Sequence, residues 1–336
     1  MKMIMFDFRD SEKEFFDKNE FPDFEITFIN EPLNEMSSLT EQQYEETDII
    51  CVFITSELTE DVLKRFKNLR VIATRSTGYN HIDVKYCTQN NIAVFNVEEY
   101  GQTSVAQFTI TLMLALIRNI LPAYIDTQRN LISHPVYEGR NLNKLTIGII
   151  GCGSIGSAVA KIANFFDMRV LVCSYGKRPD VSSFADYVSL DELLENSDVV
   201  TLHTPYKSED YHMLGEKEFA KMKDGAYFIN TARGELVDII ALYDNLLSGK
   251  IKGAALDVLE CEYLSLSPEV VADNIKNANE RCVANALITQ KLLGLSNVII
   301  TPHIAYNTQE SVETLLETTF NNIRDYLKGI RNNQVC

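Results

Sequence analysis

Short hydrophobic runs rich in β-branched side chains alternate with longer amphipathic stretches from one end of the chain to the other. The runs Met3–Phe6, Ile26–Ile29, Ile49–Ile54, Val71–Thr74 and Ile92–Phe95 predict strands, and the apolar spacing in Glu60–Lys67 and Asp83–Gln89 predicts helices between them. A long apolar helix is predicted near 102–120. The alternation then resumes, with strands at Thr146–Ile150, Arg169–Cys173, Val199–Leu202, Ala226–Asn230, Gly253–Asp257 and Val298–Ile300. Strands separated by helix-length segments pair in parallel and need cover on both faces, so the pattern predicts an α/β protein of two doubly wound parallel-sheet domains with a cleft between them. Residues 1–101 with 302–336 are expected to form one domain and 102–301 the other, the amphipathic helix Thr308–Leu327 returning to the first. Glu262–Gln290, acidic at first and weakly patterned afterwards, reads as an insertion between the last strands.

Composition narrows the partners. The chain of 336 residues is 46% hydrophobic, enough for two cores, and its net charge of -16 argues against nucleic acid and anionic membrane surfaces, both of which need a basic face. Seven cysteines at 51, 87, 152, 173, 261, 282 and 336 include no C-x-x-C pair. That usage predicts reduced thiols in a cytoplasm, with neither a disulfide framework nor a metal site. Charges follow the first apolar run too closely for a signal peptide, and the longest apolar stretch, Val105–Leu121, contains Gln107, Arg118 and Asn119 and reads as a buried helix, so no membrane is expected as a partner.

The most informative segment is Leu145-Thr-Ile-Gly-Ile-Ile-Gly-Cys-Gly-Ser-Ile-Gly, a buried strand running through a glycine turn into a helix. Gly151 permits the turn, Gly153 lets backbone approach a pyrophosphate, and Gly156 lets helix and strand pack closely; free N–H groups at the helix start then face the anion. This makes 102–301 the dinucleotide-binding, Rossmann-type domain. About 20 residues beyond the glycines an NAD site carries an acid for the ribose. Here Ser174 stands at that place, with Lys177 and Arg178 close behind, so nothing repels a 2′-phosphate and both NAD and NADP stay open. Charge-assisted hydrogen bonds worth roughly 1.5–3 kcal/mol each would favour NADP if either cation reached it.

Three further strand ends carry polar groups that an ordinary turn does not need: Arg233 after Phe228–Asn230, Glu260 and Glu262 after the Gly253–Asp257 run, and His303 after Val298–Ile300. Each alone has a bland explanation as a solvated loop residue or a structural histidine. Together they supply a fork for a carboxylate, a group that titrates near neutrality, and an acid to fix its tautomer. Those are the parts needed to reduce a 2-oxo acid with a hydride donor.

Four motifs, Ser76-Thr-Gly-Tyr-Asn-His-Ile-Asp, Gly151-Cys-Gly-Ser-Ile-Gly, Asn230-Thr-Ala-Arg-Gly-Glu-Leu-Val-Asp and Pro302-His-Ile-Ala-Tyr, resemble the D-isomer-specific 2-hydroxyacid dehydrogenases over nearly the whole chain. Ala255-Leu-Asp-Val-Leu-Glu, Ile299-Ile-Thr-Pro-His and the insertion are most similar to the D-lactate dehydrogenases, including the vancomycin-resistance type. The resemblance implies that Arg233 binds the substrate carboxylate, His303 exchanges the proton, and Glu262, rather than Glu260, holds His303. It implies substrate contacts from Thr77, Gly78, Tyr100 and Tyr306. For the cofactor it implies contacts from Cys152, Gly153, Ser154 and Ile155 to pyrophosphate, from Thr204 and Pro205 bordering the adenosine, and from Asp257 to the nicotinamide amide, with Thr231 and Ala232 also binding the cofactor and His203 at a strand end near it. A homodimer formed through the cofactor domain is implied as well.

The expected activity is NAD(P)H-dependent reduction of pyruvate to D-lactate. Tyr306-Asn307 stands where related lactate enzymes often have two aromatics, which keeps glyoxylate, hydroxypyruvate and larger 2-oxo acids open as substrates. An NAD(H)-sensing protein of corepressor type is the alternative from another class, since such proteins retain the same three polar residues.

Overall fold

The computed structural model describes residues 1–131, 137–266 and 279–336. Two compact units emerge, Met1–Tyr100 with Asn307–Cys336, and Gly101–Tyr306. The first is built on β1 (Lys2–Met5), β2 (Glu25–Phe28), β3 (Ile49–Val52), β4 (Val71–Thr74) and β5 (Ala93–Phe95), in the order β2-β1-β3-β4-β5 and parallel throughout. Parallel register puts Ile4, Ile50, Ile72 and Val94 in one row, which packs with Val62 and Leu63 on one face. The neighbouring row, Met3, Ile49, Val71 and Ala93, faces the other way and is covered by Leu316, Phe320 and Ile323 of the helix Gln309–Leu327. Both rows are apolar because both faces are covered.

The second unit repeats this plan with seven parallel strands, β6 (Thr146–Ile150), β7 (Arg169–Cys173), β8 (Ala185–Tyr187), β9 (Val199–Leu202), β10 (Ala226–Asn230), β11 (Ile251–Leu256) and β12 (Val298–Ile300). Their order is β12-β11-β10-β9-β6-β7-β8, so the winding reverses between β6 and β9. One core holds Ile147, Ile149, Val170 and Val172 against Met113, Ile117, Val159 and Ala163; the other holds Leu171, Val200, Leu202 and Phe228 against Leu193, Phe219 and Leu242. Ligands of doubly wound sheets bind beyond the strand C-termini at such a reversal.

Several expectations need correction. β8, Ala-Asp-Tyr, has no apolar run to betray it and forms only as an edge strand against β7. Val105–Leu121 is not one buried helix. The helix Gln102–Ile117 ends, Asn119 takes a left-handed conformation with φ 51°, and a second helix, Ile120–Gln128, leaves at 63° with Ile120 and Leu121 exposed. Asparagine tolerates that backbone region better than most residues. No single described helix is long and apolar enough to cross a membrane.

Part of the weakly patterned insertion is the helix Glu280–Leu293, while 267–278 lies outside the described residues. The thiol expectation also fails at one place. Folding brings the Cα atoms of Cys261 and Cys282 to 5.6 Å and the two form a disulfide, whereas Cys51, Cys87, Cys152, Cys173 and Cys336 are free.

Phe320 fixes the last helix to the first unit, with its ring centroid 4.2 Å from Phe21, 5.6 Å from Phe16 and 6.1 Å from Phe24. Phe320→Ala is expected to lower the stability of this unit by about 3–5 kcal/mol, read as a shift of its denaturant midpoint.

Candidate active site

The turn after β6 leaves room for an anion beside its backbone. Gly151 has φ +92°, and a β-carbon there would lie 2.5 Å from His203 O; at Gly156 it would lie 2.1 Å from Gly151 O. At Gly153, by contrast, it would meet nothing within 4 Å. The helix Ser154–Phe165 starts at Gly153 without a side-chain cap, leaving its first N–H groups to an outside acceptor. These residues fit a dinucleotide pyrophosphate, and the glycines that touch the loop after β9 lie at the sheet reversal.

At the end of β7, Ser174 Oγ accepts the Cys152 N–H at 3.3 Å, which puts position 174 beside the glycine turn. The two nearby cations are not equivalent. Arg178 Nε donates to Asp180 Oδ1 at 3.2 Å, and Asp180 also takes Lys161 at 2.7 Å, whereas Lys177 Nζ lies 5.6 Å from the Tyr187 ring centroid. After β9, His203 is partly exposed as a residue, but its imidazole sits among protein atoms and bonds Thr201 Oγ1 at 3.0 Å. Burial pushes it from its ordinary 6.5 down to about 3, so it is neutral at physiological pH.

The polar residues of the last three strand ends are brought together by short loops. His303, at φ 52°, faces Glu262 through Nδ1, 3.0 Å from Oε2. The other carboxylate oxygen accepts the Leu259 N–H at 3.1 Å. With Nδ1–H donating to Glu262, Nε2 is the nitrogen left for a ligand. Asp257, buried at the end of β11, accepts from Thr301 Oγ1 at 2.6 Å and from Ile304 N and Ala305 N at 2.9 Å. The sequence motif points to Asp257 as a cofactor residue, whereas its role as the anchor of the histidine loop is a product of the fold.

Arg233 follows β10, and Gly234 allows its loop to rest on the neighbouring one, since a β-carbon there would lie 2.0 Å from Leu259 C. The Arg233 guanidinium donates to Ala232 O at 2.7 Å and, among the described residues, has no acidic partner. Thr231 bonds Thr109 Oγ1 at 2.8 Å, and Tyr306 is buried with its ring edge-on to His303, 6.5 Å between centroids. Thr204 and Pro205 continue the loop after β9 beside the glycine turn.

Within the first unit, Thr77 and Gly78 lie in the bend that follows β4. Thr77 Oγ1 donates to Val97 O at 2.8 Å, Asn96 Nδ2 donates to Thr77 O at 2.9 Å, and Ser76 Oγ donates to Gly78 O at 2.6 Å. The residue just before it, Arg75, is buried in an ion pair with Glu12 and donates to Phe6 O and Asp7 O. The sequence signal for this support is an arginine directly after the β-branched run Val71–Thr74. Tyr100 closes the first part of this unit.

Comparison with known proteins agrees with this arrangement. Residues 110–305 match the family model "D-isomer specific 2-hydroxyacid dehydrogenase, NAD binding domain". The chain is 37% identical over 278 residues to a D-specific alpha-keto acid dehydrogenase of Enterococcus faecalis, covering 82% of each, and 36% identical over 294 residues to an aromatic 2-oxoacid reductase of Clostridium sporogenes, covering 86% of each. A crystal structure of D-lactate dehydrogenase from Aquifex aeolicus, complexed with NAD and lactic acid, superposes with a TM-score of 0.85 at 34% identity, covering 99% of this chain and 98% of the other. The protein therefore belongs to the D-isomer-specific 2-hydroxyacid dehydrogenases. It is an oxidoreductase of the NAD(P) class, and its substrates are small 2-hydroxy or 2-oxo acids.

His203 makes stability depend on acid in a defined direction. Its folded value of about 3 lies below its ordinary 6.5, so the unfolded chain binds the proton first and folding stability falls as pH drops from about 6.5 towards 3. His81, pushed down by burial to about 4, acts in the same sense. His203→Gln is expected to lose less thermal midpoint than the parent between pH 6.5 and 4, and an identical loss would refute the buried neutral ring.

Proposed function

We propose that this protein reduces pyruvate to D-lactate, with His303 as the proton donor. The observation that carries the reading is the Glu262–His303 contact of 3.0 Å, which fixes Nδ1 and leaves Nε2 free. When bound, reduced nicotinamide cofactor supplies the hydride. Arg233 then holds the substrate carboxylate with a planar fork and draws charge towards the oxo oxygen, and His303 Nε2–H donates to that oxygen as it becomes a hydroxyl. In the oxidative direction the neutral ring takes the proton back. Thr77, Gly78, Tyr100 and Tyr306 take part as substrate contacts on the strength of their motifs.

For the cofactor, Gly151, Gly153, Ser154, Ile155 and Gly156 take the pyrophosphate, His203, Thr204 and Pro205 border the adenosine, and Thr231, Ala232 and Asp257 serve the nicotinamide end. The reading includes NADPH as a usable donor. Its support is the neutral Ser174 and the side chain of Lys177; Arg178 is already engaged by Asp180. A second copy of the chain belongs to the proposal too, since Ile120, Leu121, Tyr124 and Ile125 form an exposed apolar stripe on one short helix of the cofactor unit. The setting proposed is the cytoplasm.

Initial rates with pyruvate, glyoxylate, hydroxypyruvate, a branched 2-oxo acid and phenylpyruvate, each with NADH and NADPH, test the reading. Pyruvate is expected to give the highest kcat/KM, and Ser174→Asp is expected to shift the cofactor ratio towards NADH by about tenfold, an energy of roughly 1.4 kcal/mol. A clear preference for phenylpyruvate would replace the substrate, and an unchanged ratio would remove Ser174 from cofactor choice.

A further inference from the structure

Between the two glutamates after β11 stands Cys261, held at φ 55° and disulfide-bonded to Cys282. A side chain larger than glycine's leaves that backbone region unless its surroundings hold it. What holds it here is the helix Glu280–Leu293. Arg281 Nε donates to Glu260 Oε1 at 2.9 Å and Asn285 Nδ2 to Glu260 Oε2 at 2.8 Å, while Gln290 Nε2 donates to Ser265 O at 2.9 Å. From the other side Tyr211 Oη and His212 Nε2 reach the same buried Glu260 carboxylate at 3.3 Å. Glu262 lies in the middle of the segment so clamped. Its carboxylate bridges Leu259 N–H and His303 Nδ1, a bridge that depends on where the Glu260–Ser265 backbone holds residue 262.

We infer that the Cys261–Cys282 disulfide is a redox-sensitive brace that positions Glu262 on His303, so that the thiol–disulfide state of this pair sets the turnover of the enzyme. The inference rests on the proton-donor role proposed for His303. Neither cysteine is buried, so a small dithiol can reach the bond. In a reducing compartment such a bond is labile rather than permanent. One thiolate of a dithiol attacks a sulfur of the pair, the Cys261–Cys282 bond breaks to give a mixed disulfide, and the second thiol of the reductant displaces it. Two electrons and two protons end on Cys261 and Cys282 as thiols, and the reductant leaves as its own disulfide. Reduction removes the covalent tie between residue 261 and the helix and leaves the segment around Glu262 held by hydrogen bonds alone, so it loosens Glu262 without releasing the helix.

The test compares the full-length protein oxidised, reduced with dithiothreitol, and reoxidised, alongside Cys282→Ala. Peptide mapping should find 261 joined to 282 in the oxidised form. Amide exchange at Leu259, whose N–H donates to Glu262, should speed up on reduction, and kcat should fall by about tenfold with KM little changed, both returning on reoxidation. Cys282→Ala should behave as the reduced form and ignore dithiothreitol, which separates the pair from the five free thiols. If the bond never forms, or if Leu259 exchange and kcat are the same in both states, the brace is wrong. Faster Leu259 exchange in a protein that turns over none of the acids would uphold the brace and overturn only the proposed activity.

Discussion

Parallel pairing through the whole seven-stranded sheet is the constraint on which the rest of this molecule depends. Because every strand runs the same way, the segments that follow β6, β7, β9, β10, β11 and β12 all emerge at one edge. The glycine turn, Ser174, His203, Arg233, Glu262 and His303 are distant in sequence and come from six such segments. An antiparallel sheet would send half of them to the opposite edge. The reversal between β6 and β9 then opens the space at that edge; Gly151 and Gly156 let the turn pack on itself and on the loop after β9, and Gly153 leaves its own face unobstructed.

Within that frame the chemistry depends on rigidity rather than on an unusual group. Asp257 anchors the turn that carries His303, Gly234 lets the arginine loop lie against Leu259, and Glu260 gathers four side chains from two other segments. Each device acts on the backbone around a Glu262–His303 pair whose own contact is a single 3.0 Å hydrogen bond. In the proposed reaction a carboxylate and an imidazole so placed would act through orientation, because a proton donor misplaced by an ångström loses far more rate than the hydrogen bond is worth. The two glutamates, separated by one residue, thus divide the work. One faces the histidine and the other faces the scaffold.

Much of this was legible in the residues. Strands buried on both faces advertise themselves as short, mostly apolar runs rich in β-branched residues, and β4, β6, β7, β9, β10 and β12 match their predicted limits. The glycine turn and the polar strand ends were visible because they interrupt those runs with residues that packing does not require. What escaped depends on contacts between segments far apart in sequence. β8 is a strand only because β7 lies beside it, and the break at Asn119 follows from a backbone choice that the hydrophobic pattern does not encode. The Cys261–Cys282 pair, 21 residues apart, has no spacing signature, and a cysteine count alone pointed to thiols. Asp257 was singled out by motif, yet its three hydrogen bonds to the histidine loop are a tertiary fact.

The most direct test of the account is the steady-state reduction of pyruvate by His303→Ala, with binding of NADH measured on the same preparation. Loss of the proton donor predicts a fall in kcat of about 10²–10⁴-fold with cofactor affinity unchanged, because His303 acts on the oxo oxygen and not on the dinucleotide. Turnover near that of the parent would contradict the account and remove the Glu262–His303 pair from the reaction.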